Sequence, residues 1–270
     1  MQYIKRQLSF FFSSDTNSGA YSISPLGNRF SVSLPRPLMI PKNSVACEIG
    51  LLSASVWNVS PNIAALYGNN VFSFTTGGIT YNYTIPDGLY SLTDLASYLS
   101  IQFVNNALAP GLFTFAGNNA TQQVIITYLN AGDSINWNVA NNVAPILGFG
   151  GSGVITAPSA NWSSFSPSQA TFNRVNSYIV TGDIVSQGIP INSTSAQVLG
   201  RIPISAAPGS QINLQNQIIS WCDASELIGS NRVNFTFSLL DQSLRDVSTN
   251  GEDWEIVIIV RFSMPSNPML

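Results

Sequence analysis

Residues 79–103 read ITYNYTIPDGLYSLTDLASYLSIQF, and residues 118–149 read NNATQQVIITYLNAGDSINWNVANNVAPILGF. Between Ile79 and Ile85, apolar or aromatic residues alternate with polar ones, which predicts a half-buried strand. The tripeptide Pro86-Asp87-Gly88 then turns the chain, because proline presets φ and glycine accepts a positive φ. After this turn, the spacing of the apolar residues changes to the period of a helix. The residues that share one helical face are Leu92, Leu95, Ala96, Leu99 and Phe103.

The helix has a start signal of its own. Ser91 is placed to cap it, and Asp94, three residues on, completes a variant of the capping box. After a loop, two more alternating runs predict strands. Their inward residues are Val124, Ile126 and Tyr128 in the first run and Ile135, Trp137 and Val139 in the second. A short apolar turn at residues 145–149 closes a strand–helix–strand–strand module that holds no catalytic pattern.

The low charge of the chain is its most unusual bulk property. Only 9% of its 270 residues are charged, against about 25% in an ordinary soluble protein. No Lys or Arg occurs from Asn43 through Asn173. A net charge of −3 without a basic cluster argues against specific nucleic-acid binding, because phosphate neutralisation requires cations. A charge-poor surface suits a protein that packs against its own copies, and it also suits a secreted protein.

The sequence contains no histidine, which excludes His-based acid–base catalysis and most zinc sites. Cys47 and Cys222 are the two cysteines, too few for a disulfide framework. Both lie in apolar runs and are predicted to be buried, inert thiols.

Two acidic clusters are candidate sites. Glu252, Asp253 and Glu255 surround Trp254, but a glycosidase needs two carboxyl groups that face each other across a sugar. The cluster is interpreted as an acidic turn that leads into a strand. Asp223 with Glu226 could bind Ca²⁺, but no EF-hand spacing is present. The sequence therefore predicts no enzyme, no cofactor and no metal.

Strand signals run through the rest of the chain. They lie at Phe30–Leu34, Val45–Trp57, Phe72–Phe74, Tyr178–Val185, Gln197–Ile204, Ile212–Cys222, Val233–Leu239 and Trp254–Phe262. Pro35, Pro37 and Pro41 predict a bent connection in place of a central strand. Asn250-Gly251 is a hairpin-type signal. Roughly eight to ten strands with one short helix predict an all-β, antiparallel two-sheet sandwich.

Two regions are predicted to contact neighbouring subunits. Residues 1–19 are predicted to form an N-terminal arm, in which cations precede three aromatics and a Ser/Asn-rich segment. The predicted contact residues are Phe10, Phe11, Phe12 and Trp162, the last within a Gly/Ser/Pro-rich loop that is expected to be interface-forming. The alternatives for the arm are a disordered tail, or an edge strand of the subunit's own sandwich. Neither a secretory signal nor a membrane-spanning segment is expected.

The order of motifs resembles a viral family. The stretch IPDGLYSLTDLASYL (85–99), followed by NVAPILGF (142–149), is similar to the penton and minor capsid proteins of virophages and related double-stranded DNA viruses. The flanking stretches agree: CEIGLLSASVWNVSPNI (47–63) and NGEDWEIVIIVRF (250–262). The resemblance implies a single jelly roll over residues 20–270, with an inserted module at about 70–155.

The resemblance also implies a structural function. The expected protein is a viral capsid subunit of the vertex (penton), which assembles into a homopentamer at the icosahedral five-fold positions. Its expected partners are copies of itself and a neighbouring major capsid protein, and its expected location is the virion, with assembly inside the infected host cell. The alternatives are a viral spike or minor capsid protein, and a carbohydrate-binding β-sandwich lectin.

Overall fold

The computed structural model describes residues 3–190 and 196–266, which are mostly β. The chain divides into two compact units: a sandwich unit of residues 1–60 with 175–270, and an inserted unit of residues 61–174. The sandwich unit begins with β1 (Tyr3–Ser13), β2 (Ala20–Ile23), β3 (Arg29–Leu38) and β4 (Ala46–Trp57). The inserted unit contains β5 (Val71–Thr76), β6 (Ile79–Thr84), α1 (Leu92–Asn105), β7 (Phe113–Asn118), β8 (Gln123–Tyr128), β9 (Ser134–Asn136), α2 (Ala144–Leu147), β10 (Val154–Thr156) and β11 (Trp162–Phe165). The sandwich unit ends with β12 (Ser177–Gly182), β13 (Val198–Pro203), β14 (Gln211–Gln215), β15 (Cys222–Asp223), β16 (Arg232–Asp241) and β17 (Glu255–Pro265).

The sandwich unit is a jelly roll. Sheet I has the strand order β1-β17-β4-β14, with β15 also paired to β4, and sheet II has the order β13-β12-β16-β3-β2. Four antiparallel pairs are nested along the chain: β1 with β17, β3 with β16, β4 with β14, and β12 with β13. These pairs alternate between the two sheets, as in a hairpin rolled into a sandwich. The predicted all-β, antiparallel two-sheet fold is confirmed.

An aromatic cluster lies between the two sheets. The ring of Phe12 in sheet I lies 4.8 Å from that of Phe237 in sheet II. Phe30 lies 5.6 Å from Phe237 and 4.8 Å, edge-on, from Trp254. Trp254 is fully buried, and its indole Nε1 donates a hydrogen bond to the carbonyl of Gly27 at 3.0 Å. Burial of large aromatic surface with its one polar atom satisfied stabilises this packing.

The prolines do not end the third strand, which corrects the predicted bent connection at this point. β3 runs through Pro35 and Pro37. Its pairing with β16 stops at Ser33 and resumes only at Leu38, across a register shift. Proline cannot donate to a ladder, so both prolines lie where the ladder is interrupted.

The Asn250-Gly251 signal does not form a hairpin between adjacent strands. Both residues have positive φ, 53° and 85°, as a tight turn requires. However, β16 lies in sheet II and β17 lies in sheet I. The turn therefore lies in a connection that crosses between the sheets, which is how a jelly roll joins these strands.

The inserted unit contains two small sheets, of order β10-β9-β5-β6 and β11-β8-β7, together with α1. The predicted helix is present. Ser91 Oγ accepts a hydrogen bond from the Asp94 backbone N–H at 3.1 Å, and Asp94 Oδ2 accepts one from the Ser91 N–H at 3.0 Å. Ser91 Oγ–H also donates to Asp94 Oδ2 at 2.6 Å. This bond, followed by the one from the Ser91 backbone N–H, lowers the pKa of the Asp94 carboxyl. The predicted capping box is therefore confirmed. The unit extends beyond the predicted module of about 70–155 on both sides.

Some predictions for the inserted unit were incomplete. The expected loop after the helix contains β7, and the Gly/Ser-rich stretch after Phe149 contains β10 and β11. β9 ends at Asn136, so the expected strand does not reach Val139. Ile79, predicted to face inward, is 58% exposed because it lies next to the β5–β6 turn at an edge of its sheet.

The buried face of α1 gives a stability test. Leu95 and Leu99 are fully buried, whereas Ile101 on the same helix is 58% exposed. Leu95→Ala and Leu99→Ala should each lower the free energy of unfolding by about 2–5 kcal/mol, because each leaves a cavity. Ile101→Ala is the control and should change it by about 0.5 kcal/mol or less. Urea denaturation of the purified variants measures this, and equal effects at all three positions would contradict the burial.

Candidate interaction surfaces

The cysteines offer no nucleophile. Cys47 and Cys222 are free and buried. Burial raises the pKa of the Cys47 thiol to about 12, and the Asp223 and Glu48 carboxylates contribute to this rise. Burial also raises the pKa of the Cys222 thiol. Because the reactive species is the thiolate, neither group is poised for chemistry near neutral pH.

The acidic clusters have structural partners. Asp253 Oδ1 accepts a hydrogen bond from Ser14 Oγ at 2.8 Å, which joins the turn before β17 to the end of β1. Asp223 Oδ2 accepts one from Ser225 Oγ at 2.7 Å. Within the described part of the chain, no three metal-ligating side chains are grouped to hold an ion. The remaining candidates are surfaces that could contact another protein.

The first such surface is the β1 edge of sheet I. β1 pairs with β17 at every position from Tyr3 to Ser13, and on its other side no strand of the described residues 3–190 and 196–266 pairs with it. Residues 3–13 thus form an edge strand of the subunit's own sandwich. This corrects the conformation predicted for the arm at 1–19, of which residues 1 and 2 lie outside the described range. A role in assembly stays a prediction.

The three consecutive phenylalanines point in alternate directions, as strand geometry requires. Phe12 is 4% exposed and belongs to the core, whereas Phe11 is 58% exposed on the outer face. Phe10 is half-buried and stacks on Phe12 with a centroid separation of 6.1 Å. Of the three predicted contact residues, only Phe11 presents most of its surface to solvent.

An apolar groove opens beside this edge, between β1 and the proline-containing end of β3. It is lined by Leu8, Phe10 and residues 34–39, and its volume is about 710 Å³. Leu8 is 40% exposed and Met39 is 66% exposed. The inward face of β1 is not covered here, because β3 diverges from its ladder between Ser33 and Leu38. This feature is called the edge groove below.

Three cations lie in the edge groove or on the strand that borders it. Lys5 and Arg6 lie at the start of β1, and Arg36 lines the groove itself. All three are exposed, and none forms an ion pair with another described residue. By contrast, Arg261 is engaged by Glu48 at 2.7 Å. The groove therefore has a mostly apolar lining with one cation in it, and two further exposed cations lie on the strand that borders it.

The second surface is the opposite edge of sheet I, where β14 and β15 pair with β4. The segment 216–221 connects these two strands and is called the β14–β15 loop below. Its residue Ile218 is 89% exposed. The adjacent Ile219 packs so closely on Gly50 that a Cβ added to Gly50 would lie 2.2 Å from Ile219 Cγ2. The loop is thereby held against β4 while Ile218 points to solvent.

Trp162, the fourth predicted contact residue, is not in an irregular loop. It begins β11, is half-buried, and packs on Tyr128 with a centroid separation of 5.4 Å. Its role as a contact residue stays a prediction. All five tryptophans of the chain fall within the described residues, and each is buried or half-buried.

The inserted unit has almost no charge. Within residues 61–174 the sequence holds only Asp87, Asp94, Asp133 and Arg174 as charged residues. Large apolar side chains are nevertheless exposed on it: Ile79, Ile101, Val104, Val154 and Phe165 are each 55–59% exposed. Such a charge-poor surface can be buried against another protein with little desolvation of charged groups.

Comparisons with known proteins give one named similarity. No protein-family model matches the sequence, and no curated protein matches it. Among solved structures, the crystal structure of the mavirus penton protein is similar to this chain at a TM-score of 0.48 and 9% identity, over 98% of this chain and 100% of that one. At these values the similarity decides neither the family nor the function. In the described residues, no helix has the length and apolar character needed to cross a membrane.

The β1 edge strand gives a second stability test. Phe12→Ala should lower the free energy of unfolding by about 3–5 kcal/mol, because it removes a core ring that contacts Phe237. Phe11→Ala is the matched control on the same strand and should change it by about 0.5 kcal/mol or less. Thermal or urea denaturation compares them. A negligible effect of Phe12→Ala would indicate that residues 3–13 do not belong to the fold.

The buried thiols give a chemical test. In the native protein near pH 8, Cys47 and Cys222 should not react with a thiol reagent, because both are shielded and their pKa values are raised. After unfolding in denaturant, both should react within minutes. A chromogenic disulfide reagent counts the reactive thiols. Rapid labelling of either cysteine in the folded protein would contradict the described burial.

Proposed function

We propose that this protein is a structural subunit of a viral capsid, a vertex (penton) protein that assembles into a homopentamer. The observation that carries the proposal is the uncovered β1 edge of the jelly roll, with the edge groove beside it. This edge has a strand of eleven residues that is paired on one side only, beside an apolar groove that a lone subunit leaves in contact with water.

Physical chemistry favours an assembled state for such an edge. An unpaired strand presents free N–H and C=O groups and is a template for association, so monomeric proteins usually cover or shorten their edge strands. Here Ile4, Leu8 and Phe11 are exposed along the same strand. A second copy of the chain that packs on this edge removes apolar area from water without requiring a conformational change.

The scarcity of charged residues also favours an assembled state. Desolvation of charged groups opposes the burial of surface, and the cores of protein interfaces are depleted in charged residues. The inserted unit, with its four charged residues and its exposed aliphatic side chains, can be covered at little electrostatic cost. The penton assignment within the capsid class is supported by the motifs at 85–99 and 142–149, which resemble penton and minor capsid proteins.

The proposed partners follow from this role. Copies of the chain form the ring, a major capsid protein surrounds it, and the ring resides in the virion. Catalysis is no part of the proposal, since the buried thiols and the hydrogen-bonded carboxylates have structural partners. The lectin alternative lacks support from an exposed tryptophan, because each of the five is buried or half-buried.

The mass of the purified protein in solution tests the proposal. Light scattering coupled to size-exclusion chromatography should give about 145 kDa, five times the 29.0 kDa of one chain. A trimer of about 87 kDa would favour the spike alternative. A stable monomer at high protein concentration and neutral pH would contradict the proposed function.

A further inference from the structure

We propose that the β14–β15 loop of one copy docks into the edge groove of the next copy, with Ile218 as the apolar anchor. This inference rests on the proposed self-assembly and specifies the contact that produces it. The occupant of the groove is therefore a second copy of this chain.

The two surfaces lie at opposite edges of one sheet and at the same level along its strands. Leu51 of β4 is opposite Ile258 of β17, which is opposite Phe10 of β1. The β14–β15 loop is fixed at this level, because Asn216 Nδ2 donates to the carbonyl of Leu51 at 2.9 Å. Phe10 lines the edge groove. A neighbour placed beside the sheet, without a shift along the strands, thus brings its loop to the groove.

The apolar surfaces match in character. Ile218, at 89% exposure, has the largest exposed fraction among the large apolar side chains of the described residues. Its neighbour Ile219 holds the loop on Gly50, so little conformational entropy is lost when Ile218 is buried. The groove volume of about 710 Å³ is large enough to hold a branched aliphatic side chain, and Leu8 and Met39 are among the lining residues. Docking would remove both apolar surfaces from water.

The charges of the two edges also match. Lys5, Arg6 and Arg36 at the groove edge are exposed and lack ion-pair partners in the described chain. Asp223 and Glu226 follow the β14–β15 loop at the opposite edge, and both are exposed without a described cationic partner. Opposite charges on the two patches favour contact between them. They disfavour contact between two β1 edges or between two β14–β15 edges, which would bring like charges together.

The symmetry follows from the use of two different patches. An interface in which patch one of each copy meets patch two of the next is heterologous, and it closes into a ring when the rotation permits. A two-fold dimer through β1 edges would instead bring like charges together. The edge groove and the β14–β15 loop therefore specify head-to-tail association, which is the kind of interface that a five-fold ring requires.

Site-directed cross-linking tests the contact. In the double variant Leu8→Cys/Ile218→Cys, a short bis-maleimide should link each copy to the next and give a ladder of covalent oligomers on a denaturing gel. The native cysteines are buried and should not compete. The single variants should remain monomeric on the gel. An equimolar mixture of the two single variants, assembled together, should give a dimer and nothing larger.

Substitution of Ile218 is the second test of the contact. Ile218→Ser should shift the assembly equilibrium toward monomer by at least tenfold in light scattering, with an unchanged melting temperature. Val45→Ser, at a 57% exposed aliphatic residue just before β4 and outside both patches, is the matched control and should assemble like the unsubstituted protein. If the double variant assembles but gives no cross-link, or if Ile218→Ser assembles normally, this contact is wrong and the capsid proposal stands. If the unsubstituted protein is monomeric, both are wrong.

Discussion

The pairing of the first strand with the last is the constraint on which the sandwich unit depends. β1 and β17 form a continuous antiparallel ladder from Tyr3 to Ser13, and the other principal pairs are nested inside it. Because β1 has a partner on one side only, this ladder and the packing of Phe12 against Phe237 hold it in place. The same arrangement leaves the far side of β1 and its groove uncovered. The fold and the proposed interface therefore have a common origin.

Local structure was the part that the sequence predicted well. The change of period between Ile85 and Leu92 located strand β6 and helix α1, and Ser91 with Asp94 located the helix start. These features depend on neighbours within a few residues, so their signals are local. The buried face of α1, and the inward residues of β8 and β17, followed the expected periodicity. The all-β, antiparallel class followed from the number of such strands.

Non-local features were harder to predict. Pro35 and Pro37 are tolerated in β3 because the ladder with β16 is interrupted there, which depends on a strand about two hundred residues away. Asn250-Gly251 turns the chain as expected, but only the tertiary fold decides that the next strand joins the other sheet. The edge position of β1 likewise depends on β17. The exposure of Ile218 has no periodic signal in the sequence. It results from the packing of Ile219 on Gly50, a contact between residues far apart in the chain.

The central claim is that opposite edges of one jelly roll, with complementary apolar and charged surfaces, close a ring of copies. Electron microscopy of the purified protein tests this claim most directly, because averaged end-on views report the rotational symmetry without cross-links or substitutions. The account predicts ring-shaped particles with five-fold symmetry, in which each β1 edge meets the β14–β15 edge of the next copy. Two-fold particles, or single subunits alone, would contradict it.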